Sequence, residues 1–247
     1  MKKIYIIWLR ELKKYARSKS RIIGSLGMPL LFLIVLGFGL NSFLDVNNGS
    51  YLDFIFPGII AMTVLMASMF SGISVIWDKQ FGFMKEMLVA PVSRTKIMIG
   101  KTLGGATTAI FQGLLIFIIS LFIGIKISSI AGLFLALFFM ILIGVSFTAL
   151  GIAFASRMED MQAFPLVMNF VVMPMFFLSG ALFPLDGIPK ALKIISFLDP
   201  LTYGVDALRF GLVGISQIPL WIDFVVLAGF CILTISIGAY LFNKTDS

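Results

Sequence analysis

The sequence predicts an all-α, polytopic membrane protein with six transmembrane helices, an N-terminal interfacial amphipathic helix and outer-leaflet re-entrant helices between the fifth and sixth spans. Of its 247 residues, 60% are hydrophobic and 13% are charged, whereas soluble domains contain roughly 45–50% apolar and about 25% charged residues. Apolar windows of about 20 residues, the length that crosses a bilayer, recur along the chain. A soluble core of this length could not bury so many apolar side chains, which excludes an ordinary soluble enzyme.

Residues 1–21 form the predicted interfacial helix. One face of this segment is apolar at helical spacing and the opposite face is basic; the two sets are Ile4, Trp8, Leu12 and Tyr15, and Lys3, Arg10, Lys14 and Arg17. Such a helix lies on the inner leaflet, either as a positively charged anchor or as a surface that also contacts a cytoplasmic partner. The sequence leaves both interpretations open.

The six predicted spans make up most of a single transmembrane domain that covers residues 1–247. They contain no Asp, Glu, Lys or Arg apart from Asp223, near the start of the sixth, and they cover about 22–40, 54–77, 102–125, 129–154, 162–184 and 220–242. Residues 186–219 are apolar but interrupted by charges, so we expect one or two outer re-entrant helices there, broken at Asp199-Pro200 and near 211–214. A seventh span is the alternative.

The distribution of basic residues predicts a multi-pass protein of the cell membrane with both termini in the cytoplasm. This orientation places the N-terminal segment, the 78–101 loop, Arg157 and Lys244 inside. The inner face then has fifteen basic and six acidic residues, and the outer face has four basic and six acidic residues. The net charges are therefore +9 inside and −2 outside. Because the surplus marks orientation, we do not expect a nucleic-acid partner.

The 78–101 loop combines an apolar helical repeat with a proline break. Phe81, Met84, Met87 and Leu88 recur every three or four residues, which predicts a short amphipathic helix. Pro91 ends it, and Ser93 is placed to cap a second helix that begins at Arg94. The loop could simply lie on the inner leaflet, or it could act as a lever for a soluble partner.

No catalytic, metal or nucleotide site is visible in the sequence. Histidine is absent and Cys231 is the single cysteine, which excludes His-dependent catalysis and the usual zinc sites. Gly100-Lys101-Thr102 resembles the end of a phosphate-binding loop, but Thr95 stands where the first glycine is required. No cofactor is therefore expected on this chain, and any ATP that drives it is bound by another subunit.

Polar residues in and near the spans supply the remaining candidates. Gln112 and Asn169 either join helices by hydrogen bonds or line a translocation pathway. Asp206 and Arg209, three residues apart, could pair on one helix face and, with Asp199, frame an outer gate. An ion-coupled carrier or channel and a membrane enzyme are the competing classes. Spans with no charged residue apart from Asp223, near the start of the sixth, disfavour the carrier, although backbone carbonyls can also hold sodium.

Four segments in order resemble the permease subunit of the ABC transporter type-2 family, over nearly the whole chain. They are Tyr51-Leu-Asp-Phe-Ile-Phe-Pro57-Gly58; Gly82 and Glu86 through Ala90-Pro91-Val92-Ser93-Arg94 to Gly100-Lys101; Phe177-Leu-Ser-Gly-Ala-Leu-Phe-Pro184; and Asp199-Pro-Leu-Thr-Tyr203 through Ala207-Leu-Arg209. The chain departs from the family at residues 78–81 and at Phe83, so only Asp78 can fill the role of the leading acid of this loop.

The resemblance implies a permease without intrinsic ATPase activity that works with a cognate ABC ATPase, as a homodimer or paired with a similar permease. The ATPase would dock on the N-terminal helix and on the 78–101 loop through Gly82, Met84, Glu86, Met87, Leu88, Pro91 and Arg94. Asp199, Tyr203, Asp206 and Arg209 would form the outer gate. The short outer loops are similar to those of drug exporters of the daunorubicin-resistance kind, whose substrates are drug-like or lipid-like; export of polysaccharide or teichoic acid is the alternative.

Overall fold

The computed structural model describes residues 2–41, 50–89, 92–125, 127–185 and 188–244, and these contain helices but no strands. The helices are α1 (Lys2–Ala16), α2 (Lys19–Asn41), α3 (Tyr51–Ser71), α4 (Ile73–Gln80), α5 (Phe83–Val89), α6 (Arg94–Phe122), α7 (Ile130–Ser156), α8 (Ala163–Leu178), α9 (Lys190–Leu198), α10 (Pro200–Val213) and α11 (Leu220–Asn243). The predicted all-α class is confirmed.

Five helical segments are long and apolar enough to cross a membrane within the described residues. They are Ile22–Gly39, Tyr51–Gln80, Arg94–Phe122, Ile130–Ser156 and Leu220–Asn243. The segment Tyr51–Gln80 combines α3 and α4, because the chain stays helical on both sides of Gly72. Five of the predicted spans thus correspond to long apolar helices, and the count of six stays a prediction.

The fifth predicted span, 162–184, is helical over a shorter length than expected. Helix α8 has 16 residues, or about 24 Å at 1.5 Å per residue, against a hydrocarbon core of about 30 Å. It ends where Gly180 adopts a left-handed backbone conformation, with φ of 71°. Ala181 and Leu182 then continue as buried, non-helical chain, a change that hydrophobicity alone does not reveal.

Helix α3 is the centre of the bundle. Most of its residues are buried, and it packs against α2, α6, α7, α8 and α10. At its end the backbones of α3 and α7 touch: a Cβ atom added to Gly151 would collide with the carbonyl of Met69, and one added to Gly72 would collide with the carbonyl of Gly151. Small residues therefore set the closest approach between these two helices.

The predicted outer element consists of two helices. The break falls at Asp199-Pro200, and α10 ends at Gly214, whose φ of 84° forms a left-handed cap. Helix α10 is largely buried, whereas α9 exposes Leu192, Ile194 and Ile195. The two-helix form and its boundaries agree with the sequence pattern, and re-entry into the membrane stays a prediction.

Candidate functional site

Helix α1 lies along the beginning of α6 and runs parallel to it. The contact is close because α6 presents two glycines: added Cβ atoms would meet Ile7 at Gly100 and Glu11 at Gly104. The Trp8 indole N–H also donates to the Thr107 hydroxyl at 3.1 Å. Trp8 and Tyr15, from the apolar face predicted to lie on lipid, therefore contact a neighbouring helix. We call the end of the bundle formed by α1, α4, α5 and the start of α6 the basic end.

Five charged side chains meet at the basic end and form what we call the Asp78 cluster; they are Arg10, Glu11, Lys14, Asp78 and Lys101. The carboxylate of Asp78 is 1% exposed and accepts two hydrogen bonds from the Arg10 guanidinium, at 3.0 and 3.1 Å. The Lys101 ammonium lies 2.5 Å from the same carboxylate and 3.4 Å from Glu11. Three helices, α1, α4 and α6, thus share one buried carboxylate.

Helix α1 contributes two cations to the Asp78 cluster, Arg10 and Lys14, and their pKa values shift in opposite directions. The hydrogen bond to Asp78 raises the pKa of Arg10 above its usual value, so its charge is secure at every physiological pH. Lys14 lies 4.0 Å from Asp78 and is half-buried, and this loss of hydration lowers the pKa of its ammonium despite the nearby carboxylate. Arg10 is therefore the firmer partner of Asp78.

The short helix that the apolar repeat predicted is present as α5, but it begins at Phe83 and leaves Phe81 outside. Gly82, with φ of 79°, turns the chain between α4 and α5, so Phe81 is 59% exposed while Met84 is 3% exposed. Apolar spacing could not reveal this break, because it does not report which glycine adopts a left-handed conformation.

The other predicted coupling residues lie around this turn. Met87 has its sulfur 4.0 Å from the Arg10 guanidinium, and Glu86 is exposed. The side chain of Leu88 and the whole of Pro91 lie outside the described residues. Arg94 begins α6 as predicted and donates to the carbonyl of Asn243 at 3.0 Å, which places the end of α11 at the basic end as well.

A groove of about 820 Å³ runs between α1 and the α4–α5 turn, and we call it the basic groove. Its aromatic residues Trp77, Phe81 and Phe83 are 42%, 59% and 47% exposed, and Lys13 and Arg17 border it. Aromatic surface beside exposed basic side chains suits a partner surface that is apolar and acidic.

The two predicted pathway residues lie apart. Gln112 is 4% exposed and lines a cavity of about 230 Å³ between α1, α2, α3 and α6, next to Met28, Thr63 and Thr108. Asn169 is exposed on α8. A single chain therefore does not bring Gln112 and Asn169 into one cavity.

The predicted ion pair between Asp206 and Arg209 is wrong. Asp206 instead accepts hydrogen bonds from the Ser216 hydroxyl and from the backbone N–H groups of Gln217 and Ile218. Arg209 donates to the carbonyl of Gly180 at 2.9 Å, and its guanidinium lies 4.0 Å from the centre of the Phe54 ring. The spacing of the two residues on one helix predicted that they share a face. In the structure the loop after α10 satisfies Asp206, and groups from other parts of the bundle satisfy Arg209.

The other two gate candidates lie at the α9–α10 junction. Asp199 is 7% exposed and caps α10 by accepting from the N–H of Leu201 at 2.9 Å. Burial raises the pKa of its carboxyl to about 7. The Tyr203 hydroxyl donates to the carbonyl of Phe197 at 2.9 Å, which ties α10 to α9.

Sequence reasoning missed two buried charged residues. Lys101 was noted as part of a failed phosphate-binding loop and of a family-like segment, without a role of its own, yet it is 2% exposed and paired with Asp78. Asp223, at the start of α11, is fully buried and its carboxylate oxygens have no hydrogen-bond partner within the described structure. The sequence signal that could have revealed each buried charge is a single charged residue next to, or near the start of, a long apolar segment.

Comparison with known proteins connects this arrangement to transport. The sequence pattern of the family described as ABC-2 type transporter matches residues 2–213. The inner membrane transport permease YadH of Escherichia coli K12 is 30% identical, over 92% of this chain and 89% of its own length.

Two further relatives agree. A transport permease named ycf38 from Cyanophora paradoxa is 31% identical, over 85% of this chain and 74% of its own. Nodulation protein J of Rhizobium leguminosarum bv. viciae is 28% identical, over 82% and 79%. The resemblance noted from the sequence is confirmed: the chain belongs to the ABC-2 type transporter family, whose members include membrane transport permeases.

Proposed function

We propose that this chain is the membrane-spanning permease subunit of an ATP-driven exporter and that a separate ABC ATPase supplies the energy. Permeases of this family usually work with an ATPase partner. The chain has no complete phosphate-binding loop, and the lysine of its partial motif is buried against Asp78 inside the bundle. That lysine has no room to hold a nucleotide phosphate, so ATP binds to the partner.

The basic groove is the observation that carries this proposal. Three large aromatic side chains are exposed at the basic end, where charged residues are also concentrated. A cluster of this kind marks a protein interface more often than a solvated surface. The ATPase would place an apolar, acidic surface against Phe81 and Phe83, with Lys13 and Arg17 steering its approach.

The substrate we propose is hydrophobic or amphipathic, either drug-like or lipid-like. Among the described residues that line the Gln112 cavity there is no Asp, Glu, Lys or Arg. A pocket of methionine, aromatic, hydroxyl and amide groups favours neutral or weakly polar molecules over ions. Polysaccharide would need a larger and more polar passage than this 230 Å³ cavity.

A second copy of the chain would complete the pathway. Helix α8 exposes Asn169 beside Leu166 and Phe170, which are 73% and 83% exposed. A polar side chain on such a face is costly against lipid and is better accommodated between protein subunits. We therefore propose a homodimer, or a pair with a similar permease, in which Asn169 lies at the interface.

The proposed orientation places the basic end in the cytoplasm of a cell-membrane protein. Helix α1 and the end of α11 both lie at this end, in agreement with the excess of basic residues expected on the inner side. Both termini would then be cytoplasmic and the α9–α10 element external.

The test compares the purified full chain in lipid nanodiscs with the same chain co-expressed with a cognate ABC ATPase from the same organism. We expect the pair to co-purify and hydrolyse ATP, and the chain alone to be inactive. Deletion of residues 84–88 should abolish co-purification while membrane insertion persists. Hydrolysis by the isolated chain would overturn the proposal, and transport driven by an ion gradient without ATP would favour a secondary transporter.

A further inference from the structure

The buried lysine at the start of α6 is the feature that the proposed function leaves unexplained. Lys101 is 2% exposed, and lysine is almost never fully buried unless it is paired. Its ammonium contacts Asp78 at 2.5 Å and Glu11 at 3.4 Å, and lies 3.4 Å from the Ser74 carbonyl. The burial of this charge is therefore compensated by residues from two other helices.

The Asp78 carboxylate joins both walls of the basic groove to α6. Asp78 itself belongs to α4, on one wall, and the Arg10 guanidinium that binds it through two hydrogen bonds belongs to α1, on the other. A two-point contact of this kind fixes orientation as well as distance. Lys101 then attaches the same carboxylate to α6, which continues into the membrane.

The glycines of α6 make this joint stiff. Because added Cβ atoms at Gly100 and Gly104 would collide with Ile7 and Glu11, α1 packs closer to α6 than larger residues at these two positions would permit. Close-packed elements shift between discrete arrangements and do not deform gradually. A displacement of α1 or α4 is therefore passed on to α6 as a whole.

Helix α6 carries that displacement towards the proposed substrate cavity. Gln112 follows Lys101 by eleven residues, which is about three helical turns or about 16 Å, so the two side chains project from the same face. Lys101 is bound to the groove walls, and Gln112 lines the cavity. One rigid helix thus connects the partner-binding end to the cavity wall.

We propose that Asp78 is a positioning residue for energy coupling: by holding Arg10 and Lys101 together, it transmits movement of the basic groove through α6 to the Gln112 cavity. This inference rests on the proposed function, because it requires an ATPase at the groove. Lys101, the lysine of the failed phosphate-binding motif, is then the counter-ion that links Asp78 to α6.

The experiment measures whether nucleotide changes the cavity. In a background in which Cys231 is replaced by alanine, Thr108→Cys places a single thiol on the cavity lining. The full chain with its co-purified ATPase is reconstituted in nanodiscs, and the rate of thiol modification by a methanethiosulfonate reagent is recorded without nucleotide and with ATP plus vanadate. We expect the rate to change with nucleotide when Asp78 is intact and to be insensitive to nucleotide in Asp78→Asn.

A purely structural role of Asp78 would lower stability without removing the nucleotide response of complexes that do assemble. The matched control is Lys96→Met, which removes an exposed lysine from α6, the helix that contains Lys101, and should keep the full response. If Asp78→Asn does not fold, the double variant Asp78→Asn with Lys101→Gln removes both charges together and leaves no unpaired charge on either residue.

The outcomes separate the two proposals. A full nucleotide response in Asp78→Asn, or in the double variant, would overturn the positioning role while leaving the permease assignment intact. Failure of the chain with native Asp78 to bind the ATPase would overturn the proposed function itself. Loss of the response together with retained ATPase binding and ATP hydrolysis supports the inference.

Discussion

Asp199 gives the chain a pH-dependent stability that a single isosteric substitution should remove. One of its carboxylate oxygens caps α10, and the other is buried without a hydrogen-bond partner in the described structure. Burial raises the pKa of Asp199 from 3.8 to about 7. The difference between these two pKa values means that ionisation of Asp199 lowers the free energy of unfolding by about 4 kcal/mol.

The direction follows from proton linkage. The unfolded chain releases the Asp199 proton near its ordinary pKa of 3.8, whereas the folded chain holds it until about pH 7. Below the unfolded value both states are protonated and burial carries no electrostatic cost. Stability therefore falls as the pH rises from about 4 to about 7, and it stays at the lower level above that range.

The variant Asp199→Asn should be insensitive to this pH change and more stable than the native chain at about pH 8, because asparagine caps a helix as well as aspartate does. Asp199→Ala is the matched control: it also removes the titration but loses the cap, which costs about 1 kcal/mol at every pH. The assay is thermal or denaturant unfolding in one detergent at several pH values. An equal pH dependence in the native chain and in Asp199→Asn would refute the reasoning.

Three further substitutions and one control variant, Gly229→Ala, test packing elsewhere in the bundle. Gly104→Leu should push α1 off α6 because its Cβ would already meet Glu11, and faster proteolysis of α1 would report the change; unchanged cleavage would contradict the contact. Gly151→Ala should cost about 1–3 kcal/mol by overpacking against Met69, whereas Gly229→Ala, with open space around it, should be neutral or stabilising in the same unfolding assay. Arg209→Met should lower the free energy of unfolding by about 1.5–3 kcal/mol, because it removes the hydrogen bond from the Arg209 guanidinium to the Gly180 carbonyl. Normal transport by the assembled variant would argue against a gating role.

Much of the helical framework could be predicted because long apolar windows leave the backbone few alternatives in a membrane. The break at Asp199-Pro200 agrees with local capping and proline chemistry. Helix α6 begins at Arg94 as predicted, although the Ser93 side chain makes no capping hydrogen bond. Helix α8 was overestimated because its apolar composition continues past Gly180, where the chain turns into irregular structure held by contacts from other segments.

The charge partners could not be predicted, because they depend on tertiary proximity. Lys101 and Asp78 are 23 residues apart in the chain, and no local pattern connects them. Asp206 and Arg209 show the reverse case: their spacing suggested a pair, but Asp206 is saturated by the α10–α11 loop. Local spacing thus identified where charges lie on a helix, and packing decided which groups they bind.

The affinity of the cognate ATPase for the nanodisc-embedded chain tests the central claim most directly. Phe81→Ala should weaken binding by about 10- to 100-fold, because burying a phenylalanine in an interface contributes about 1.5–3 kcal/mol. Phe122→Ala, which removes an exposed phenylalanine at the other end of α6, should leave the affinity unchanged. If Phe81→Ala and Phe122→Ala both bind the ATPase as tightly as the native chain does, the basic groove is not the site at which the ATPase docks.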